Sequence, residues 1–225
     1  SIAEYLHVST FESWASVGNW YWNLIEDQLV VSPEIAATVQ SLILGAESTR
    51  ERVAAIHEYV VRNTRYVGLE FGIHGFLPYP TSVSFSRRFG DCKDTASLIH
   101  VMLGVAGIDS HIVLVRTRDL GELQPLPASL AVFNHAITYV PELDLYLDGT
   151  AGYSGLDELP RGNQGASVLI VVPEGGSRFT RIPVAGADAN QRNIETVVDL
   201  TQPGLPTLQE STFQGHFAPV LRQRY

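Results

Sequence analysis

The chain has 225 residues, of which 45% are hydrophobic, and this is enough for one large domain with an ordinary core. Its formal net charge of −9 argues against a nucleic-acid-binding surface, because such surfaces are rich in Lys and Arg. No apolar run approaches the roughly 18 residues that a membrane-spanning helix needs. We therefore expect no membrane span and no nucleic-acid partner.

Three helices are predicted in the first part of the chain. All three tryptophans lie between residues 10 and 29 among aliphatic residues, which is typical of a helix that packs aromatic side chains onto a core. Ser32 and Pro33 form an N-cap and a first helical position, and a third helix starts at Thr49 and runs to about Asn63. An extended segment and a long loop rich in Gly and Pro should follow.

The only cysteine, Cys92, lies at the predicted start of the next helix. Asp91 is the expected N-cap, Asp94 completes a carboxylate version of the capping box, and the helix should end near Gly107. A helix start offers free N–H groups and the positive end of the helix dipole, which favour a thiolate. Helical spacing places Cys92 on the apolar stripe, so a buried inert thiol is the alternative. The same spacing predicts Lys93 as an ion-pairing surface residue that points away from the sulfur.

Strands are predicted after this helix. The predicted strands are rich in Val, Ile and Leu. They span His111–Arg118, Leu130–Val140, Leu143–Asp148 and Val168–Val172. Helices followed by strands indicate an α+β fold, in which the cysteine helix packs on an antiparallel sheet. From Arg178 the sequence continues as weakly patterned β-like segments.

A thiol nucleophile needs a base, and the base needs an orienting acceptor. His135 has apolar neighbours on its face of the second strand, which by itself is more typical of a core histidine. Asp148 lies at the end of the third strand, on the face opposite its leucines. A hairpin turn centred on Pro141 and Glu142 makes His135 and Asp148 direct cross-strand neighbours, and a turn one residue later still leaves them on one face. Cys92, His135 and Asp148 then form a complete nucleophilic triad.

The histidines offer another interpretation, a metal site. His74, His100 and His111 show no close ligand pair with suitable partners, so we expect neither a metal site nor a cofactor.

Three motifs in order carry a family resemblance. They are GDCKD at residues 90–94, FNHAI at 133–137 and LDGT at 147–150. Together they resemble the transglutaminase-like superfamily, and more narrowly the bacterial transglutaminase-core proteins that have an additional β-rich domain before the core. The segments RYVG at 65–68 and AGI at 106–108 also resemble that group, so the similarity covers about residues 10 to 185.

The resemblance implies a papain-like α+β core with a Cys92-His135-Asp148 triad, and acyl transfer from peptide or protein carboxamides through a thioester. Water as the acceptor gives a peptidase or amidase, which many bacterial members are thought to be. An amine gives a crosslinking transglutaminase. A third alternative is a non-catalytic peptide-binding module on the same fold. Calcium dependence is not implied, and the usual Asp-Pro-Thr is here Asp148-Gly149-Thr150.

A second donor is needed beside the Cys92 backbone N–H to hold the oxyanion. Tyr66 is the candidate, because its segment leads into the loop before Gly90; a packed aromatic with a solvent-reaching hydroxyl is the alternative. Asn134 has the opposite strand parity to His135, so a structural hydrogen bond is predicted for it.

The predicted division of the chain has three parts. Residues 1–48 form a helical segment that packs on the core, 49–176 the transglutaminase-like core, and 177–225 a truncated β-rich extension. The chain starts with Ser1 and its only methionine is Met102, so we expect a processed or excised piece whose targeting signal is missing. The family resemblance suggests an exported or periplasmic protein.

Overall fold

The computed structural model describes residues 6–68, 70–123, 127–201, 203–204 and 206–224. The α-helices in these ranges are α1 (Trp14–Ile25), α2 (Pro33–Leu42), α3 (Thr49–Asn63), α4 (Thr81–Arg87), α5 (Cys92–Val105) and α6 (Ala218–Arg222). The strands are β1 (Arg65–Tyr66), β2 (Phe89–Gly90), β3 (His111–Arg116), β4 (His135–Val140), β5 (Leu145–Leu147), β6 (Ser167–Ile170), β7 (Arg178–Arg181), β8 (Arg192–Val198) and β9 (Thr207–Phe213). The predicted α+β class is confirmed.

Serine side chains start the first three helices. The hydroxyls of Ser13, Ser32 and Ser48 each accept a hydrogen bond from a backbone N–H of the first turn. These caps satisfy donors that have no partner within the helix. The predicted helix starts at Pro33 and Thr49 are therefore confirmed.

Helix α5 has the predicted capping residues at both ends. Asp91 and Asp94 form the capping box at its start. At its end Gly107 has a φ of +72°, the left-handed conformation that favours glycine. The Gly107 N–H donates to the Gly104 carbonyl at 3.0 Å and the Ile108 N–H to the Leu103 carbonyl at 2.9 Å. This is a Schellman motif, and it ends the helix abruptly before β3.

A five-stranded antiparallel sheet with the order β5-β4-β3-β6-β7 forms the centre of the fold. On one face, buried residues of α2, α3 and α5 pack with Val140 and Leu147. Helix α1 packs on the same face beside α5, through a cluster that includes Ala96, Ile112 and Leu169. The alternate strand residues form a separate cluster on the opposite face. The period-two alternation of the strands thus builds a core on each side of the sheet.

Two local predictions were wrong. In residues 6–68 and 70–91, four α-helices precede Cys92 where three were predicted, because the short α4 follows Pro80 and has too few residues to show an amphipathic repeat. The strand predicted from Leu130 begins only at His135, since Leu130–Val132 forms a 3-10 helix. The Ser129 hydroxyl caps this turn by accepting from the Ala131 N–H.

Strands β8 and β9 pair with each other and lie outside the five-stranded sheet, and every residue of β8 is exposed. By contrast β7 belongs to the large sheet, and α1 packs against it. The predicted boundaries at residues 48 and 176 stay a prediction. None of the described helices is both long enough and apolar enough to cross a membrane.

Gly149 brings the turn after β5 against α5. A Cβ at this position would lie 2.9 Å from Thr95 Cβ and 2.9 Å from Ile99 Cδ1, closer than van der Waals contact allows. We therefore expect Gly149→Ala to lower the free energy of unfolding by about 1–3 kcal/mol, measured by urea denaturation. Gly152→Ala is the control, because nothing lies within 4 Å of its added Cβ. Equal stability of the two variants would contradict this packing.

Candidate active site

Cys92 is the first residue of α5 and is only partly buried. It lines a cleft of about 200 Å³ together with His135, Phe133 and Lys93. The alternative of an inert cysteine requires a thiol that is buried in the core. The Cys92 thiol instead borders the cleft.

The mouth of α5 holds a compact set of buried charges. Asp91 accepts hydrogen bonds from the backbone N–H groups of Lys93 and Asp94, and its second oxygen binds the Lys93 ammonium. Asp94 in turn accepts from the Tyr79 N–H at 2.8 Å and from the Arg87 guanidinium at 2.8 Å. Two carboxylates are therefore balanced by two cations at the start of the helix.

The prediction of Lys93 as a surface residue was wrong, although its ion pair is present. Lys93 is 5% exposed and lines the cleft beside Cys92. The physical reason is the buried N-cap: the free oxygen of Asp91 needs a donor, and the neighbouring ammonium supplies it. Helical spacing alone does not reveal this demand.

His135 and Asp148 are in direct contact. His135 is the first residue of β4, Asp148 follows the last residue of β5, and His135 Nε2 lies 2.9 Å from Asp148 Oδ2. The predicted hairpin is present, but its register pairs Tyr139 with Tyr146. This is the later of the two registers considered, because the connection is the 3-10 helix Pro141–Leu143. His135 and Asp148 therefore share a face without being directly opposite.

Asp148 is 5% exposed, and its oxygens are held by several donors. Oδ2 also accepts from Asn163 Nδ2 at 2.7 Å, while Oδ1 accepts from the Thr150 N–H at 2.9 Å and the Thr150 hydroxyl at 2.7 Å. His57 Nε2 donates to the Asp148 backbone carbonyl at 3.1 Å. Sequence reasoning missed Asn163 and His57 because only the folded chain brings the loop before β6 and helix α3 to Asp148, whereas Thr150 lies within the LDGT motif.

The neighbours of His135 and Asp148 shift both titrations. Burial alone would lower the pKa of His135, but hydrogen bonds to Asp148 and Cys92, together with the negative charge of both, raise it above the ordinary value of 6.5. Burial alone would raise the pKa of Asp148, but the hydrogen bond and charge of His135, aided by Thr150, lower it below 3.8. The pair thus favours an imidazolium beside a carboxylate at neutral pH.

This geometry also decides which imidazole nitrogen is free for the sulfur. Because Nε2 is occupied by Asp148, Nδ1 is the nitrogen left for Cys92. An imidazole placed in this way can accept the proton of a thiol at Nδ1 and return it to a leaving group.

Tyr66 lies close to the site but not on the cleft. Strand β1 pairs in parallel with β2, and Tyr66 stands opposite Gly90, just before the mouth of α5. Its side chain is 51% exposed. Partial burial and the negative charge of Cys92 raise the pKa of Tyr66 to about 12, so its hydroxyl stays protonated. Its role as an oxyanion donor stays a prediction.

Two further side chains complete the surroundings. The predicted structural role of Asn134 is confirmed, since its amide bonds the Thr117 N–H and hydroxyl at 2.9 and 2.8 Å. Tyr21 of α1 lines the cleft with Cys92 and is 2% exposed. The sequence offered no signal for it, because α1 reads as an aromatic anchor and its approach to α5 is a tertiary contact.

Over the described ranges, no group of three or more His, Cys, Asp or Glu side chains lies close enough to hold a metal ion. The imidazole of His74 stacks on Tyr79, and that of His100 forms a hydrogen bond with the Ser110 hydroxyl.

Comparisons with known proteins agree with this architecture. The model of the transglutaminase-like superfamily matches residues 36–149, a range that contains Cys92, His135 and Asp148. No curated protein sequence matches the chain. A candidate protease from Parabacteroides distasonis superposes with a TM-score of 0.59 at 17% identity, over 87% of this chain and 39% of that one. This likeness shows the fold, and the chain spans about two fifths of that protein's length.

A second solved structure, a candidate cysteine protease from Cytophaga hutchinsonii, gives a TM-score of 0.41 at 16% identity. The match covers 69% of this chain and 53% of that one.

The shifted titrations of His135 and Asp148 predict a characteristic pH dependence of stability. The contribution of His135 is full below its ordinary pKa of 6.5 and is lost as the pH rises through its raised pKa. The contribution of Asp148 is full above its ordinary pKa of 3.8 and is lost as the pH falls through its lowered pKa.

We therefore expect the stability difference between the wild type and Asp148→Asn to be largest between about pH 4 and 6.5, and to decrease on both sides. Urea denaturation of both proteins from pH 3 to pH 9 measures it. A difference that stays constant up to pH 9 would contradict the coupling of the two groups.

Proposed function

The chain belongs to the transglutaminase-like superfamily, and we propose that it is a cysteine-dependent acyl-transfer enzyme that hydrolyses peptide or protein carboxamides. The observation that carries the proposal is one connected line of groups. Asp148 binds Nε2 of His135, His135 and Cys92 line the same cleft, and Cys92 lies at a helix start.

In the first step, His135 Nδ1 holds the proton of Cys92 and leaves a thiolate. The sulfur attacks the carboxamide carbon, a C–S bond forms, and the electron pair of the C=O π bond moves to oxygen. Asp148 stabilises the imidazolium during this step and keeps the ring oriented. The raised pKa of His135 and the lowered pKa of Asp148 both favour this charge distribution.

The backbone N–H of Cys92 is available for the resulting oxyanion. As the first N–H of α5 it has no partner within the helix, and among the described residues no acceptor binds it, whereas the following N–H groups of Lys93 and Asp94 are occupied by Asp91. An N–H at a helix start is a suitable donor to a developing negative charge.

Collapse of the tetrahedral intermediate breaks the C–N bond of the carboxamide, and His135 gives its proton to the leaving amine. A thioester on Cys92 remains. Water, activated by the now neutral imidazole, attacks the thioester, and the thiolate leaves as the acid is released. The same cycle with a primary amine in place of water would give a crosslinking enzyme.

Removing the base should slow the chemistry of the only thiol. We expect His135→Ala to reduce turnover of a carboxamide substrate by about 10²–10⁴-fold, since it removes general acid–base catalysis. The same variant should slow alkylation of Cys92 by iodoacetamide at pH 6.5, followed by mass spectrometry of the intact protein. His216→Ala is the control. His216 forms a hydrogen bond with Asn190 and does not line the cleft that contains Cys92.

If His135→Ala and the wild type are alkylated equally fast, and neither faster than cysteine in the urea-unfolded chain, Cys92 is an ordinary thiol. The non-catalytic peptide-binding module would then be the correct interpretation.

The acyl acceptor requires its own experiment. The wild type is incubated with a peptide library in the presence and absence of cadaverine, and the products are identified by mass spectrometry. We expect hydrolysed products under both conditions and none with Cys92→Ala. Cadaverine adducts as the main product would instead identify an amine-accepting transglutaminase.

A further inference from the structure

Tyr21 presents a buried hydroxyl to the cleft. The residue is 2% exposed and lines the same cleft as Cys92 and His135. Among the described residues, no group accepts a hydrogen bond from the Tyr21 hydroxyl or donates one to it. Although the residue is buried, the hydroxyl oxygen itself is not completely enclosed. A buried tyrosine hydroxyl normally has a hydrogen-bond partner. The Tyr21 hydroxyl is therefore available to form a hydrogen bond with a ligand atom in the cleft.

The helix that carries Tyr21 is held firmly in place. Val17 and Ile25 of α1 are fully buried in the cluster that joins α1 to α5 and the sheet. Trp14 stacks on Phe179 of β7 with ring centroids 4.5 Å apart. Gly18 faces Ser177 so closely that an added Cβ would lie 2.2 Å from the serine Oγ. These contacts fix the position of the Tyr21 ring relative to Cys92.

The charge around Tyr21 keeps its proton in place. Burial, followed by the negative charge of Cys92 and then of Asp91 and Asp94, raises the pKa of Tyr21 far above its ordinary value. The hydroxyl is therefore a hydrogen-bond donor at every working pH, and the sulfur is the largest source of charge that acts on it. A hydrogen-bond donor that lines the same cleft as the sulfur is suited to a negative oxygen.

We propose that the Tyr21 hydroxyl is the second oxyanion donor, opposite the Cys92 backbone N–H. This inference rests on the proposed function. As the thiolate forms its bond to the carbonyl carbon and the π electron pair moves to oxygen, Tyr21 donates a hydrogen bond to that oxygen and keeps its own proton. The hydrogen bond is strongest when the charge on oxygen is fully developed, and this lowers the barrier.

Tyr66, the earlier candidate, is less suited to this role. It is 51% exposed, so water competes for its hydroxyl, and it does not line the cleft in the described part of the chain. Tyr21 lies outside residues 36–149, the range that matches the family model. The segment before this range thus supplies a group that contacts the substrate.

Two small probes that react at the same sulfur test the proposal. Acylation of Cys92 by p-nitrophenyl acetate passes through an oxyanion, whereas alkylation by iodoacetamide displaces iodide and forms none. We expect Tyr21→Phe to slow acylation by about 10²-fold, the loss typical of one oxyanion donor. The iodoacetamide rate should stay within about twofold of the wild type, since the thiolate and its base are unchanged. This second rate also verifies that the variant folds.

Tyr59→Phe is the control, because Tyr59 is partly buried but packs on Phe85 and does not line the cleft. The proposal is overturned if Tyr21→Phe acylates at the wild-type rate, if it slows both reactions equally, or if Tyr66→Phe alone shows the selective loss. In these cases the proposed function stands as long as His135→Ala still slows alkylation. If the wild type is acylated no faster than the urea-unfolded chain and His135→Ala has no effect, the proposed function fails as well.

Discussion

The buried carboxylate of Asp148 determines the geometry of the candidate site. An ionised carboxylate with 5% exposure is costly unless its lone pairs are satisfied, and here they accept from His135, Asn163 and Thr150. These donors come from β4, from the turn after β5 and from the loop before β6. The carboxylate therefore ties three segments together and holds Nε2 of His135, which leaves Nδ1 for the proposed proton transfer with Cys92.

The buried charges at the start of α5 form ion pairs that stabilise the helix start. Asp91 and Asp94 are paired with Lys93 and Arg87, so the buried ions largely cancel one another. The partner of the Lys93 ammonium is thus the helix N-cap, Asp91. In the proposed mechanism, the electrostatic support for a thiolate comes from His135 and from the first backbone N–H of α5. The ion pairs hold that start in place within the core.

Sequence reasoning was reliable where the signal is local and periodic. The capping box at Asp91 and the C-terminal glycine at Gly107 depend on neighbours within one helical turn, and both are present. The shared face of His135 and Asp148 follows from the two-residue period of strands, which survives the shift in register. The exact register did not follow, because it depends on the conformation of the turn.

The errors and omissions share one physical cause, which is the demand of a buried group for a distant partner. Lys93 is drawn inward by the free oxygen of Asp91, and Asn163 is drawn to Asp148 by a loop with no recognisable pattern. Tyr21 reaches the cleft because α1 packs against β6 and β7. Neither hydrophobic period nor residue type contains this information, so only the folded chain reveals these residues.

Gly149 stands where the motif that the LDGT segment resembles has proline, and the side chains that hold the Asp148 carboxylate lie elsewhere. The carboxylate is anchored by Thr150 and Asn163, while Gly149 lies so close to α5 that an added Cβ would come within 2.9 Å of Thr95 Cβ. Search patterns that require proline at this position would pass over chains of this kind. A pattern built on the carboxylate and the hydroxyl two residues later would retain them, and would sort such sequences by the contacts that hold the site rather than by the shape of its turn.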